Sequence, residues 1–221
     1  MTRTKLLPLL ALLALPALSL PAADPGIPAD VARSENAVKP LDLGERVPDG
    51  PVRTLDGTTT SFRSALGSKP SVVIFYRGGW CPYCNIQMEA LMGLEPKLQA
   101  LGYQIVALSP DKPEKMRLSL EKHKLTYTLL SDSRLDLARS FGLAYKIGSL
   151  QSLALTLHGI DLEGYSGESH HWLPVPAAYV IDATGTIRFK YVNPDYTVRV
   201  DPQALYAAAQ AALPAPDGKS R

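Results

Sequence analysis

Residues 71–91, SVVIFYRGGWCPYCNIQMEAL, leave few folds open to this chain. The apolar, β-branched run from Val72 to Tyr76 reads as a buried strand. Arg77-Gly78-Gly79-Trp80 reads as a tight turn. Cys81-Pro82-Tyr83-Cys84 follows, holding the only two cysteines of the protein. Beyond it, Met88, Leu91, Met92 and Leu94 mark one apolar face of a helix. Strand, turn, C-x-x-C, helix is the layout of a thiol redox site.

The flanking sequence supplies a scaffold for that unit. Residues 41–62 read as an edge hairpin closed by Asp56-Gly57, a strong turn pair. The helix after the cysteines is expected over about 84–100, interrupted near Pro96 and ended by Gly102. Tyr103–Leu108 is a second buried strand. Asp111 is a candidate N-cap for a helix opened by Pro113, and Tyr127–Leu130 is a short strand. Asp132 or Ser133 caps a helix running through Phe141, with Gly142 as its C-cap candidate. Alternating strands and helices argue for parallel β-α-β units. Residues 143–174 break the alternation, with an apolar helix over 148–157 and a polar loop holding His170 and His171. That stretch reads as an insertion, or lid, near the site. Tyr179–Asp182 and Thr186–Val192 form a returning hairpin, and Asp201-Pro202 caps a last helix.

Charge excludes some functions. The net charge is +2 with mixed signs, so nothing favours nucleic acid. Arg3 and Lys5 precede an apolar Leu6–Leu20, with small residues up to Ala23, the pattern of a secretory signal over 1–23. Residues 24–40 read as a linker, 41–213 as one domain and 214–221 as a disordered tail. Export places the mature protein in the periplasm of a Gram-negative-type cell; a retained N-terminal membrane anchor is the alternative.

Two segments carry a family resemblance. Phe75–Cys84 resembles the active-site loop of the thioredoxin superfamily. VALSPDKPEKMRLSLEKHKLTYTLLSDSRLDLARSFGL, within Ile105–Leu143, resembles the alkyl hydroperoxide reductase/thiol-specific antioxidant (AhpC/TSA) family, the peroxiredoxins. The resemblance covers about residues 40–213. It implies an α/β thioredoxin-like fold, a central mixed sheet flanked by helices, with an N-terminal hairpin and an insertion before a cis-proline strand. Peroxiredoxins carry P-x-x-x-T-x-x-C, whose cysteine attacks peroxide. In that register Cys84 is the attacking position, Cys81 stands at the threonine and Arg77 at the proline. Where the family has an arginine before the late strand, this chain has Pro176, which resembles the cis-proline beside a thioredoxin-like C-x-x-C. Asp195-Tyr196-x-x-Arg199 recurs in this peroxiredoxin-like subgroup and carries no assigned role beyond structure.

A thiolate is the working species, and a helix N-terminus lowers cysteine pKa. A structural disulfide over so short a loop stabilises little, and half a metal knuckle without a second ligand pair is incomplete, so neither metal nor cofactor is expected. By the thioredoxin analogy Cys81 attacks and Cys84 resolves; by the peroxiredoxin analogy the order is reversed, and the scaffold favours Cys84. Arg77 is either a thiolate-stabilising cation or an ordinary surface residue. Trp80 is either a docking surface for a partner or a packing residue. His170 and His171 are read as solvent-exposed more readily than as proton donors or ligands.

Three functions follow. The first is reduction of hydrogen peroxide or organic hydroperoxides through a Cys81–Cys84 disulfide regenerated by a thioredoxin-like dithiol protein. The second is thiol–disulfide exchange on protein disulfides. The third, not an enzyme, is copper delivery. Family relatives are often dimers, so a homodimer is also implied.

Overall fold

A computed structural model describes residues 27–213. The signal expected over 1–23 and the tail expected over 214–221 lie outside the described residues. No helix among the described residues is long and apolar enough to cross a membrane.

Every second residue of the central strand faces the opposite layer, and both layers are packed. In β3 (Ser71–Phe75), Val72 and Ile74 join one core cluster, and Val73 and Phe75 join another on the other side of the sheet. A strand buried on both faces has to be apolar throughout, which explains the unbroken run in the sequence. β3 pairs in parallel with β4 (Gln104–Ser109), and β4 with β5 (Thr128–Ser131). The remaining strands are antiparallel additions: the hairpin β1 (Pro51–Arg53) and β2 (Thr59–Ser61) on one edge, and β8 (Ala177–Ile181) and β9 (Ile187–Val192) on the other. The sheet order is β2-β1-β5-β4-β3-β8-β9. α2 (Pro82–Ala100), α3 (Pro113–His123) and α7 (Pro202–Ala211) cover one face, and α1 (Phe62–Leu66) and α4 (Asp136–Ser140) the other. This is the thioredoxin-like α/β arrangement expected.

Several local readings change. α2 is continuous through Pro96. Lys112, not Asp111, precedes α3, and Asp111 is buried. The 143–174 insertion folds as β6 (Ala144–Lys146), α5 (Ser149–Leu157), α6 (Leu162–Ser166) and β7 (Trp172–Pro174), with β6 and β7 paired as a small second sheet. α5 turns Leu150, Leu153 and Leu157 outward. The expected cis-proline is not found: there is no cis peptide among the described residues. The chain passes from β7 to β8 with Val175 N–H donating to Leu143 O, and Asn193 N–H donating to Pro176 O. Both flanks are held without a reversal, so the trans form that most X-Pro bonds adopt suffices.

From residue 27 on, the stretch read as a linker lies against the domain. Val31 is buried, Ala32 bridges Tyr145, and Lys39 N–H donates to Gly142 O. Gly142 has φ +67°, and a Cβ there would lie 2.0 Å from Lys39 O, a backbone atom that cannot swing aside. Gly142→Ala is therefore expected to destabilise the fold by more than about 1 kcal/mol, read as a lower urea midpoint with an unchanged m-value. An unchanged midpoint would show that residues 27–40 are not held where the structure places them.

Candidate active site

The turn after β3 is fixed from several sides. Cys81 N–H donates to Gly78 O (3.1 Å), Asn85 Nδ2 donates to Gly79 O (3.0 Å), and Gly79 N–H donates to Asp111 Oδ2 (2.7 Å). Gly78 has φ +142°, and a Cβ there would lie 2.3 Å from Trp80 Nε1, so only glycine lets the chain turn this tightly. The turn delivers Cys81 to the N-cap of α2, with Pro82 in its first turn and Cys84 one step deeper. Both cysteines are unbridged here, so the structure shows the dithiol form. Cys81 is 1% exposed and Cys84 0%.

Arg199, on the segment between β9 and α7, reaches both sulfurs. Its Nη2 donates to Cys84 Sγ at 3.3 Å and to Cys81 Sγ at 3.9 Å. Its Nε and Nη1 are shielded and unpartnered. Arg77 is buried, with its guanidinium 4.0 Å from the ring centre of Tyr196 and 5.0 Å from that of Trp80. Among the described residues neither arginine is ion-paired to a carboxylate. Two cations beside two sulfurs, without acidic partners, favour negative charge there.

That charge settles on Cys81. The hydrogen bond from the Cys84 thiol is the largest influence; the Cys84 backbone N–H and the charges of Arg77 and Arg199 add to it. Together they outweigh burial and bring Cys81 down to about 6. Burial, then the hydrogen bond to Cys81 and the charge there, push Cys84 well up. At neutral pH the pair carries one proton and one negative charge, in a chain that runs from the Arg199 guanidinium through the Cys84 thiol to the Cys81 thiolate.

Of the residues singled out from sequence, Cys81, Cys84, Arg77 and Trp80 come together. Trp80 is half-buried, packed against two core clusters and under Arg77. Pro176 lies one step beyond the Phe75–Ala177 strand pair, at the edge of the site. His170 and His171 are not free solvent groups: His170 stacks on Trp172 and bonds to Ser133 O, while His171 pairs with Glu163. Burial lowers His170, favouring the neutral ring. Arg199 is the functional residue that the sequence reading left without a role. Its signal was the D-Y-x-x-R spacing: Asp195 accepts Thr197 N–H in a turn that sets Tyr196 over Arg77 and Arg199 on the sulfurs.

A family model described as "AhpC/TSA family" matches residues 43–190. A peroxiredoxin Q, chloroplastic, of Gentiana triflora is 28% identical over 176 residues, 80% of this chain and 70% of its own. Peroxiredoxin Bcp of Escherichia coli (strain K12) is 30% identical over 105 residues, 48% of this chain and 67% of its own. Among solved structures, peroxidoxin BcpB of Mycobacterium tuberculosis superposes with TM-score 0.60 at 20% identity, covering 78% of this chain and 99% of its own. A peroxiredoxin-like protein of Aquifex aeolicus gives TM-score 0.62 at 17% identity, covering 82% and 96%. At these identities the two structures speak for the fold alone.

Proposed function

The chain belongs to the AhpC/TSA family, and on that premise we propose that it is a thiol peroxidase whose Cys81–Cys84 dithiol reduces hydrogen peroxide or organic hydroperoxides. The observation that carries this reading is Arg199 bridging two buried sulfurs at the start of one helix. The family position assigns attack to Cys84, but the thiolate is the nucleophile and the resting charge lies on Cys81, so we assign the attack to Cys81.

The electrons and protons balance as follows. The Cys81 thiolate attacks the outer oxygen of ROOH; an S–O bond forms, the O–O bond breaks, and RO⁻ departs. RO⁻ takes the Cys84 proton and leaves as ROH. Cys81 is then a sulfenic acid and Cys84 a thiolate against Arg199. Cys84 attacks the Cys81 sulfur, the disulfide closes and hydroxide leaves. The cysteines have given up two electrons to the peroxide. A thioredoxin-like dithiol protein then returns two electrons by exchange. Arg199 serves throughout: its Nη2 donates to both sulfurs, where charge moves from one to the other and onto oxygen.

Copper delivery loses support on charge, because Arg77 and Arg199 oppose a cation at the sulfurs, and both histidines are engaged elsewhere. The basic, apolar N-terminal segment supports export to a periplasm, where a reducing partner would be needed.

Peroxide consumption by Cys81→Ser and Cys84→Ser, with dimedone trapping, tests the assignment. Cys84→Ser is expected to consume about one equivalent and accumulate a trappable sulfenic acid on Cys81. Cys81→Ser is expected to lose the fast reaction. A sulfenic acid trapped on Cys84 in Cys81→Ser, with Cys84→Ser inert, would restore the family order. Wild type that leaves peroxide untouched while reducing insulin disulfides would replace the peroxidase reading by disulfide exchange.

A further inference from the structure

Asp111 ends the β4 side of the site, is 1% exposed, and takes no part in the steps above. Its Oδ2 accepts the Gly79 N–H at 2.7 Å and its own N–H donates to Ser109 Oγ at 3.2 Å. Its Oδ1 is shielded and has no hydrogen-bond partner. The contact with the dithiol turn is close: a Cβ on Gly78 would lie 2.8 Å from Oδ1, and one on Gly79 3.5 Å from Oδ2. A buried carboxylate so sparsely bonded is costly, and such a group keeps a proton instead. Burial pushes Asp111 up to about 7, against the Gly79 and Ser109 hydrogen bonds and Lys115.

We propose that Asp111 is a positioning residue: its carboxyl holds the Gly78–Gly79 turn and, by keeping or losing a proton, sets how readily Cys81 ionises. The inference rests on the reading of Cys81 and Cys84 as a redox dithiol.

The groups facing Asp111 come from every neighbouring element. Cys81 faces it from the start of α2, Tyr76 from the end of β3 and Lys115 from α3. Across a pocket of about 10 Å³, room for about one water, stand Tyr165, Glu168, His170 and His171 of the insertion. Tyr76 stays neutral, because burial raises it furthest. Lys115 favours the ionised carboxylate, and the Cys81 charge opposes it. Two anions this close each raise the other, so Asp111 and Cys81 titrate as a pair over a widened range. Closing the disulfide removes the Cys81 charge, and Asp111 then gives up its proton more readily.

The test is the rate of iodoacetamide alkylation at Cys81 in the reduced full chain, located by mass spectrometry, from about pH 5 to about pH 9. Wild type should show two inflections. Asp111→Asn keeps an acceptor for Gly79 N–H and removes the charge. It should give one inflection about half a pKa unit lower, with roughly one and a half times as much thiolate near pH 6. Lys115→Met, on a half-buried helix side chain, should move the upper inflection to higher pH and leave the lower in place; it keeps the test open if Asp111→Asn does not fold. A single inflection in wild type, an Asp111→Asn profile that overlays wild type, or an unmoved upper inflection in Lys115→Met overturns the inference. A Cys81 no more reactive than a free thiol near neutral pH overturns the dithiol reading itself, and this inference with it.

Discussion

Arg199→Met is expected to slow peroxide consumption by roughly 10²–10³-fold, the loss that follows removal of one preorganised donor at a reacting centre. The reasoning starts from what Arg199 touches. Its Nη2 contacts both sulfurs, and its other shielded donors have no competing partner in the protein. Its charge lowers both thiols, so removing it moves their ionisation to higher pH. The gap should therefore be widest at mildly acidic pH and should narrow, without closing, as the medium turns alkaline. Arg199→Lys keeps the charge without the planar fork and is expected to fall between the two. Stopped-flow rates across pH check this; an Arg199→Met rate within about twofold of wild type at neutral pH would remove Arg199 from the reaction.

Phe141→Ala is expected to cost about 3–5 kcal/mol of stability, the range for deleting a buried phenylalanine. Phe141 is 0% exposed at the centre of the α1/α4 layer. Its ring lies 4.8 Å from Phe75, 5.3 Å from Tyr179 and 5.9 Å from Phe62, all tilted or edge-on. Phe75 and Tyr179 belong to the paired central strands β3 and β8, so the cavity would open directly under the sheet that carries the dithiol turn. Urea unfolding reads the loss. A change below about 1 kcal/mol would mean that the layer collapses to fill the gap.

Where local chemistry decided the structure, the sequence was readable. β3 is apolar because both its faces are covered, Asp56-Gly57 closes a hairpin, and Asp201 caps α7 through the N–H groups of Gln203 and Ala204. The hairpin and the cap are settled by neighbours in the chain, and the double cover of β3 shows in its unbroken apolar run. The misreadings have tertiary causes. Asp111 has the residue type and place of a helix cap, but the Gly79 N–H, 32 positions away, takes its carboxyl. Residues 27–40 have a linker's composition, yet backbone bonds of Ala32 with Ala144 and Lys146, and of Lys39 with Gly142, hold them down. Pro176 opens a strand as a cis-proline would, and strand pairing on both sides leaves it trans.

The site divides along the same line. The dithiol and its turn were plain, because spacing alone places both sulfurs at one helix end. The cation could not be ranked from sequence: Arg77 is close in the chain but stacks on Tyr196 and Trp80, while Arg199 reaches Cys84 across 115 positions. The order of ionisation was also hidden, since it follows from burial and from which sulfur donates the shared hydrogen bond.

The central claim is that the Cys81–Cys84 pair is a peroxide-reducing dithiol. Mixing the fully reduced protein with one equivalent of hydrogen peroxide, and following both residual peroxide and the intact mass, tests it most directly. The account predicts that peroxide disappears far faster than with a free dithiol, one equivalent per chain, and that each chain loses two hydrogens with Cys81 and Cys84 joined. Peroxide that persists at the free-dithiol rate, with the cysteines still reduced, would contradict it.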